Sequence, residues 1–377
     1  MTERFIGLMS GTSLDGADGV LAQFEQGQLQ VLQFASAPFS AALRAKLLAL
    51  NSAGDNELHR AALAANALAR CYADVVHALL QGGGLQASDI TAIGAHGQTV
   101  RHQPGLWDGT GYTLQINSPA LLAELTGISV IADFRSRDVA AGGQGAPLVP
   151  AFHQGVFGAP GALRWVLNVG GISNVSRLDL RTENDVESDV RGWDCGPGNA
   201  LMDYWCHQHT GKPYDDGGRW AASGQVIPAL LAALMAEPFL AQQPPKSTGR
   251  DLFNPAWLAP LLATHAAGAA PANVQATLAE FTAQAIAQDM QRHGAAPDQQ
   301  LAVCGGGALN QYLMQRLAAL LPGMQVDSTA AHGLPPLQVE AAAFAWLAHQ
   351  CWHRLPGNLP AVTGARGLRV LGAIYPA

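Results

Sequence analysis

Short apolar runs alternate with turn-rich polar stretches at the start of the chain and again near its middle. Phe5-Ile6-Gly7-Leu8-Met9 and Gly19-Val20-Leu21 flank Ser10-Gly11-Thr12-Ser13-Leu14-Asp15-Gly16-Ala17-Asp18, where glycines, hydroxyls and two carboxylates are concentrated. The pattern predicts a β-hairpin whose tip approaches a ligand, because small residues leave backbone N–H groups open to an anion. Asp15 and Asp18 add the charge to hold a cation directly or through water. Asp-Gly is equally an ordinary hairpin signal, so the turn alone supports both readings. Residues 164–178 repeat the pattern: Trp165-Val166-Leu167-Asn168-Val169, then Gly170-Gly171, then Ile172-Ser173-Asn174-Val175. A second glycine-tipped hairpin about 160 residues after the first predicts two lobes of one topology, 1–155 and 156–377. The last helix is expected as a candidate to pack back on the first lobe.

Between these landmarks the periodicity shifts. Residues 29–34 read as a third strand, and 40–50 and 57–80 carry Ala and Leu at helical spacing up to Gly82-Gly83-Gly84. Residues 90–95, 112–117 and 128–133 are short strands, and Ser118-Pro119 starts a helix. Helices are expected over 200–209, 256–266, 273–293, 311–321 and 338–354, with a strand at 301–304. This alternation is that of an α/β protein.

Composition narrows the function. The chain has 377 residues, 49% hydrophobic and only 13% charged, with net charge −7. No basic run offers a nucleic-acid surface. No apolar stretch approaches the roughly 18 residues of a membrane span, and the opening lacks a secretory signal. Five separated cysteines without a CxxC pair suit a cytoplasmic location. The three lysines, Lys46, Lys212 and Lys246, fall outside any glycine-rich turn that follows a strand, which excludes a P-loop.

Several residues are candidates for chemistry. His96 follows a buried strand, where a ligand-facing residue or a satisfied core histidine is expected. Arg135 and Arg137 lie in a charged loop after a strand, suited to a carboxylate or phosphate clamp or to a surface ion pair. Asp194, before Cys195-Gly196-Pro197-Gly198-Asn199, reads either as a helix cap or as a catalytic group on a fixed backbone. His207 and His209 face apart on a helix, so no metal site is read there. Cys304-Gly305-Gly306-Gly307-Ala308 before a helix forms a nucleotide-contact unit, with Asn310 where a dinucleotide fingerprint needs a small residue. Glu340 falls in the first turn of the last long helix, where the helix dipole alone would favour it.

The two hairpins and the glycine triplet resemble the phosphate and adenosine motifs of the actin–hexokinase–Hsp70 ATPase superfamily. Gly7-Leu8-Met9-Ser10-Gly11-Thr12-Ser13-Leu14-Asp15-Gly16, Gly94-Ala95-His96-Gly97-Gln98-Thr99, Asn168-Val169-Gly170-Gly171-Ile172-Ser173-Asn174 and Asp194-Cys195-Gly196-Pro197-Gly198-Asn199 are similar to motifs of the bacterial anhydro-N-acetylmuramic acid kinases. The resemblance implies a two-lobed actin-like (ribonuclease H-like) fold with an interdomain cleft. It implies a cytoplasmic, usually dimeric kinase of cell-wall recycling, which opens the anhydro bridge of a small sugar with water and phosphorylates the freed O6 from ATP with Mg2+. By the same resemblance Gly11, Thr12, Ser13, Leu14, Asp15, Gly16, Ala17 and Asp18 bind ATP together with Gly170, Gly171 and Gly306. Asp194 is the catalytic residue and Glu340 lines the sugar site. Arg135 or Arg137 is the candidate, from residue type, for the substrate carboxylate. Cys195 stands where threonine is expected. Another sugar or acyl kinase of the same fold is the alternative.

Overall fold

The computed structural model describes residues 2–11, 13–25, 27–181, 189–249 and 252–377. Thr12, one of the expected ATP contacts, lies outside the described residues. In chain order the strands are β1 (Glu3–Met9), β2 (Gly16–Glu25), β3 (Gln28–Pro38), β4 (Ala92–Ala95), β5 (Gln98–Pro104), β6 (Gly111–Ile116), β7 (Val130–Ala132), β8 (Leu163–Val169), β9 (Ile172–Asp179), β10 (Asp189–Pro197), β11 (Gln300–Cys304), β12 (Gln325–Ser328) and β13 (Ala373–Tyr375). The helices are α1 (Ala41–Ala49), α2 (Glu57–Gly83), α3 (Pro119–Thr126), α4 (Ser136–Ala140), α5 (Val149–Phe157), α6 (Ala200–Thr210), α7 (Arg219–Ala222), α8 (Pro228–Met235), α9 (Pro255–His265), α10 (Pro271–Arg292), α11 (Gln311–Leu320), α12 (Val339–Trp352) and α13 (Pro360–Thr363).

Two compact units result: Met1–Val156 with Gln338–Ala377, and Phe157–Leu337. In the first, the sheet order is β13-β7-β4-β1-β2-β3, with β2 antiparallel to β1 and β3, and β4 parallel to β1 and β7. In the second it is β10-β9-β8-β11-β12, again with an antiparallel meander followed by two parallel strands. Setting aside β13 and the separate β5–β6 ribbon, the two sheets have one topology, that of the ribonuclease H-like units of actin-like ATPases. The repeat read from the two hairpins is therefore a repeat of whole sheets.

Each sheet is covered by helices whose apolar stripe follows the helical period. In α2 the buried set includes Ala64, Leu68, Tyr72, Val75 and Leu79, packed over Ile6, Leu8 and Leu21. In the second unit α10 is buried along nearly its whole length, from Val274 to Met290, against Trp165, Leu167 and Trp193 of the sheet. Residues 338–377 complete the first unit. β13 pairs with β7, and α12 lies directly on β1 and β4, close enough that a Cβ at Gly7 would sit 1.9 Å from the Ala341 carbonyl oxygen. A Cβ at Gly94, the register partner of Gly7, would sit 2.1 Å from that of Phe344. These two glycines are accounted for by helix packing, not by ligand approach.

Candidate active site

In the first unit the parallel strands β1, β4 and β7 deliver their carboxyl ends to one edge of the sheet, where α/β proteins collect ligands. The hairpin closes on the pair Met9 and Asp18, and the intervening turn is held from below by side chains. Ser10 Oγ donates to the Gly97 carbonyl at 3.0 Å and lies 2.9 Å from the Tyr72 hydroxyl, while Gln98 Nε2 donates to the Gly11 carbonyl at 3.1 Å. Leu14 adopts φ 59°, in the left-handed region. Gly16 is spoken for by packing, since a Cβ there would lie 2.4 Å from the Ala37 carbonyl oxygen. Gly11 is different. Beyond its chain neighbours a Cβ would meet nothing nearer than Ser13 Oγ at 3.7 Å among the described residues.

The turn carries an unbalanced acidic pair. Asp15 is exposed and only 3.8 Å from Arg44, a weak surface contact. Asp18 opens to solvent on one side, yet the atoms crowded around its carboxyl desolvate it, and with the charge of Asp15 this pushes its pKa up to about 6. Cation binding would relieve that electrostatic penalty.

At the same sheet edge His96 is buried and accepts from Arg135 Nε at 3.1 Å, while Arg135 Nη1 donates to the Gly145 carbonyl at 2.8 Å. Burial, followed by the guanidinium charge, holds the His96 imidazole well below its ordinary value, so it serves as a neutral acceptor. Burial also brings Arg135 down to about 10, partly offset by the negative charges of Glu340 and Asp138. The histidine read as ligand-facing or core is thus an orienting partner of Arg135. Glu340, in the first turn of α12, is close enough to act electrostatically on the same guanidinium. Arg137 is exposed and outside this cluster. Asp138 is fully buried, accepting from Gly145 N–H, Asn358 Nδ2 and Thr363 Oγ1, and so ties the 142–147 loop to the C-terminal segment.

In the second unit, the turn Gly170–Gly171 is docked by backbone N–H groups, with the Asn199 side chain donating to the Val169 carbonyl at 3.0 Å. Asn199 N–H donates to the Gly170 carbonyl at 2.7 Å, and the Gly198 and Ala200 N–H groups donate to that of Gly171 at 3.0 and 3.2 Å. The docking consumes carbonyls and not the N–H groups an anion would use. A Cβ at Gly198 would lie 2.3 Å from the Gly170 oxygen, whereas one at Gly170 would meet only Ile172 O, at 3.7 Å. The glycine triplet divides the same way. Gly305, at φ 76°, and Gly307 are pressed on β8, with Cβ positions 2.4 Å from Asn168 Oδ1 and from Val169 Cγ1. Gly306 is exposed, its nearest such neighbour Asn199 Nδ2 at 3.4 Å. Close packing therefore explains most of these glycines, but at Gly11, Gly170 and Gly306 a Cβ would meet only ordinary van der Waals contacts.

Asp194 does not cap a helix. It lies on β10 opposite Asn174, at a bulge between Asp194 and Gly196, while Asn199 occupies the N-cap position of α6. Its Oδ2 accepts from Ser247 Oγ and from Thr248 N–H, both at 2.9 Å, and its own N–H donates to the Lys246 carbonyl at 3.2 Å. Burial raises the carboxyl above the usual aspartate range against the lowering effect of those two donors and of Lys246. Cys195, at the threonine position, packs wholly inside the core and is inert, burial pushing its thiol far up.

The segment that grips Asp194 is itself anchored by residues sequence reasoning missed. Lys246 pairs at 2.7 Å with Asp289 on α10, the two side chains 1% and 0% exposed, and Trp193 Nε1 also donates to Asp289. The available signal was one of only three lysines followed by Ser247-Thr248, and a lone aspartate in the Ala- and Gln-rich α10. A cavity of about 450 Å³ between α8, α10 and α11, lined in part by Glu280, Tyr312 and Arg316, contains none of the residues singled out from the sequence.

Residues 3–377 match the sequence profile of the anhydro-N-acetylmuramic acid kinases. The chain is 66% identical over 375 residues to the anhydro-N-acetylmuramic acid kinase of Variovorax paradoxus (strain S110), covering 100% of this chain and 99% of that protein. It is 61% identical to that of Cupriavidus pinatubonensis (strain JMP 134 / LMG 1197), covering 99% and 98%. Among solved structures it is distantly similar to an activator of 2-hydroxyisocaproyl-CoA dehydratase from Clostridium difficile, at 13% identity and a TM-score of 0.46, covering 91% of this chain and 92% of that one. The chain belongs to the anhydro-N-acetylmuramic acid kinase family, ATP-dependent sugar kinases.

Proposed function

We propose that Asp194 is the base of the reaction and that Gly11, Gly170 and Gly306 are nucleotide contacts. As a member of its family, the chain phosphorylates 1,6-anhydro-N-acetylmuramic acid from ATP in cell-wall recycling. Water attacks the anomeric carbon and gives its proton to Asp194 as the C1–O6 bond breaks. In the same step O6 bonds to the γ-phosphorus, and ADP leaves with N-acetylmuramic acid 6-phosphate as the other product. Concerted departure to phosphorus avoids a free alkoxide, so the protein's task is positioning and charge stabilisation. The observation that carries Asp194 as base is its mounting: one oxygen pinned by two donors on a bulged strand, with proton affinity raised by burial.

The phosphate contacts fall to the glycines that packing leaves unexplained, with Gly171 beside Gly170 and with Ser13, Leu14, Gly16 and Ala17 completing the first turn. Asp15 and Asp18 fit Mg2+, a hard cation that takes carboxylate oxygens and whose charge would relieve their mutual repulsion. When bound it neutralises charge on the phosphates. Arg135, oriented by His96, pairs the lactyl carboxylate of the sugar, and Glu340 accepts from a sugar hydroxyl or N–H. The reading extends to a homodimer in the cytoplasm; no helix among the described residues is long and apolar enough to cross a membrane.

Mass spectrometry of product made in ¹⁸O-water tests the reaction. One labelled oxygen at C1 together with one phosphate is expected; phosphorylated product without label would overturn the hydrolytic step.

A further inference from the structure

Away from the nucleotide turn, three side chains of the first unit aim ligand atoms at one point. Glu3 opens β1, and His349 and His353 sit at i and i+4 at the end of α12, a spacing that puts two imidazoles on one helix face, as in zinc-binding helices. Their ligand atoms all lie within 4.8 Å of one another. His353 Nε2 is 2.8 Å from Glu3 Oε2, and His349 Nε2 is 3.9 Å from the same oxygen.

The surrounding bonds set which nitrogen of His349 is free to ligate. Gln350 Nε2 donates to the Pro356 carbonyl, which leaves Gln350 Oε1 as an acceptor facing His349 Nδ1 at 3.3 Å. Nδ1 therefore carries the hydrogen, and the Nε2 lone pair of the neutral ring points toward the carboxylate. A lone pair facing a carboxylate invites a cation between them. The ring is also held in place, stacked on Phe24 at 4.3 Å and met edge-on by Phe5 at 5.4 Å. An engaged Nδ1–H and a fixed ring are the outer-shell features that metal-binding histidines need.

We propose that Glu3, His349 and His353 form a site for one divalent transition-metal ion of the zinc type, clamping the first strand to the last long helix. Two imidazoles and one carboxylate suit zinc, cobalt or nickel and disfavour magnesium or calcium, which take oxygen ligands. Ligand atoms around tetrahedral zinc lie about 3.3 Å apart, so small rotations of the three side chains complete the shell, with solvent in the fourth position. The ion takes the place of the His353 Nε2 proton, which is released to solvent. Glu3 lies six residues before Met9, at the opposite end of β1, about 20 Å from the phosphate turn. The site is therefore structural, and its occupancy should not alter turnover.

The test uses the full chain stripped with a chelator and titrated with Zn2+ by calorimetry, beside His353→Gln and Glu3→Gln. The wild type is expected to bind one equivalent and melt at a higher temperature with it, each variant to bind at least about tenfold more weakly, and kinase turnover to stay the same in all three. Co2+ in place of zinc should give a visible spectrum without thiolate charge transfer. No tight equivalent, unchanged affinity in both variants, or a thiolate band that places the ion on cysteine would each overturn the proposal.

Discussion

The two hairpin turns occupy equivalent places in two sheets of one topology, yet they are built from different chemistry. The first is long, acidic and held by side chains, through Ser10, Tyr72 and Gln98. The second is short and uncharged and is held chiefly by backbone N–H groups at the start of α6, with one side-chain bond from Asn199. The second unit keeps its important carboxylate, Asp194, off the turn and on the bulged third strand of its meander. A repeated fold thus gives the two turns equivalent places, while their residues give them different chemistry: two carboxylates in the first unit, an uncharged glycine turn in the second.

The sharpest break in this comparison is Asp194→Asn. Turnover should fall about a thousandfold, with melting temperature and ATP affinity retained, if Asp194 is the base proposed above. An equally active variant would return Asp194 to a structural role. The next effect is on stability. Lys246→Met leaves Asp289 charged and buried, with its closest cation gone, and should cost about 3–5 kcal/mol in chemical denaturation. The double variant Lys246→Met with Asp289→Leu should recover much of that loss. Recovery of fold without turnover would show that the pair serves by positioning residues 246–248 around Asp194.

Much of this architecture was legible because period and turn chemistry are local. The hairpins, α2 ending at Gly83, and the strand, glycine turn and helix around 301–320 all follow from residue pattern. β10 was not legible as a strand. Trp193-Asp194-Cys195-Gly196-Pro197 has the glycine and proline of a turn, and its extended form depends on pairing with β9, a non-local term. Nor does sequence reveal which glycines are free. Gly305, Gly306 and Gly307 look alike in the chain, and only the approach of β8 separates two that the fold needs from one that it leaves open. The Lys246–Asp289 pair was hidden for a similar reason, since 43 residues separate its members.

A smaller effect probes the acidic turn. The Asp18 carboxyl holds its proton more tightly in the folded chain than in the unfolded one, so ionising it costs stability as pH rises from about 4 to about 6. Without nucleotide, Asp18→Asn should remove that part of the pH dependence and be the more stable protein at pH 7. With Mg·ATP the order of merit reverses. The wild-type KM for Mg·ATP should rise as pH falls through about 6, and the variant's should be high and flat. A wild-type KM indifferent to pH across that range would detach Asp18 from the metal.

Nucleotide affinity of Gly170→Ala and Gly306→Ala, measured by calorimetry beside their melting temperatures, tests most directly the claim that the glycines left open by packing are there for ATP. An added Cβ makes only ordinary contacts at either position in the free protein, so the variants should melt as the wild type does and bind ATP at least about tenfold more weakly. Wild-type affinity in both stable variants would contradict the account.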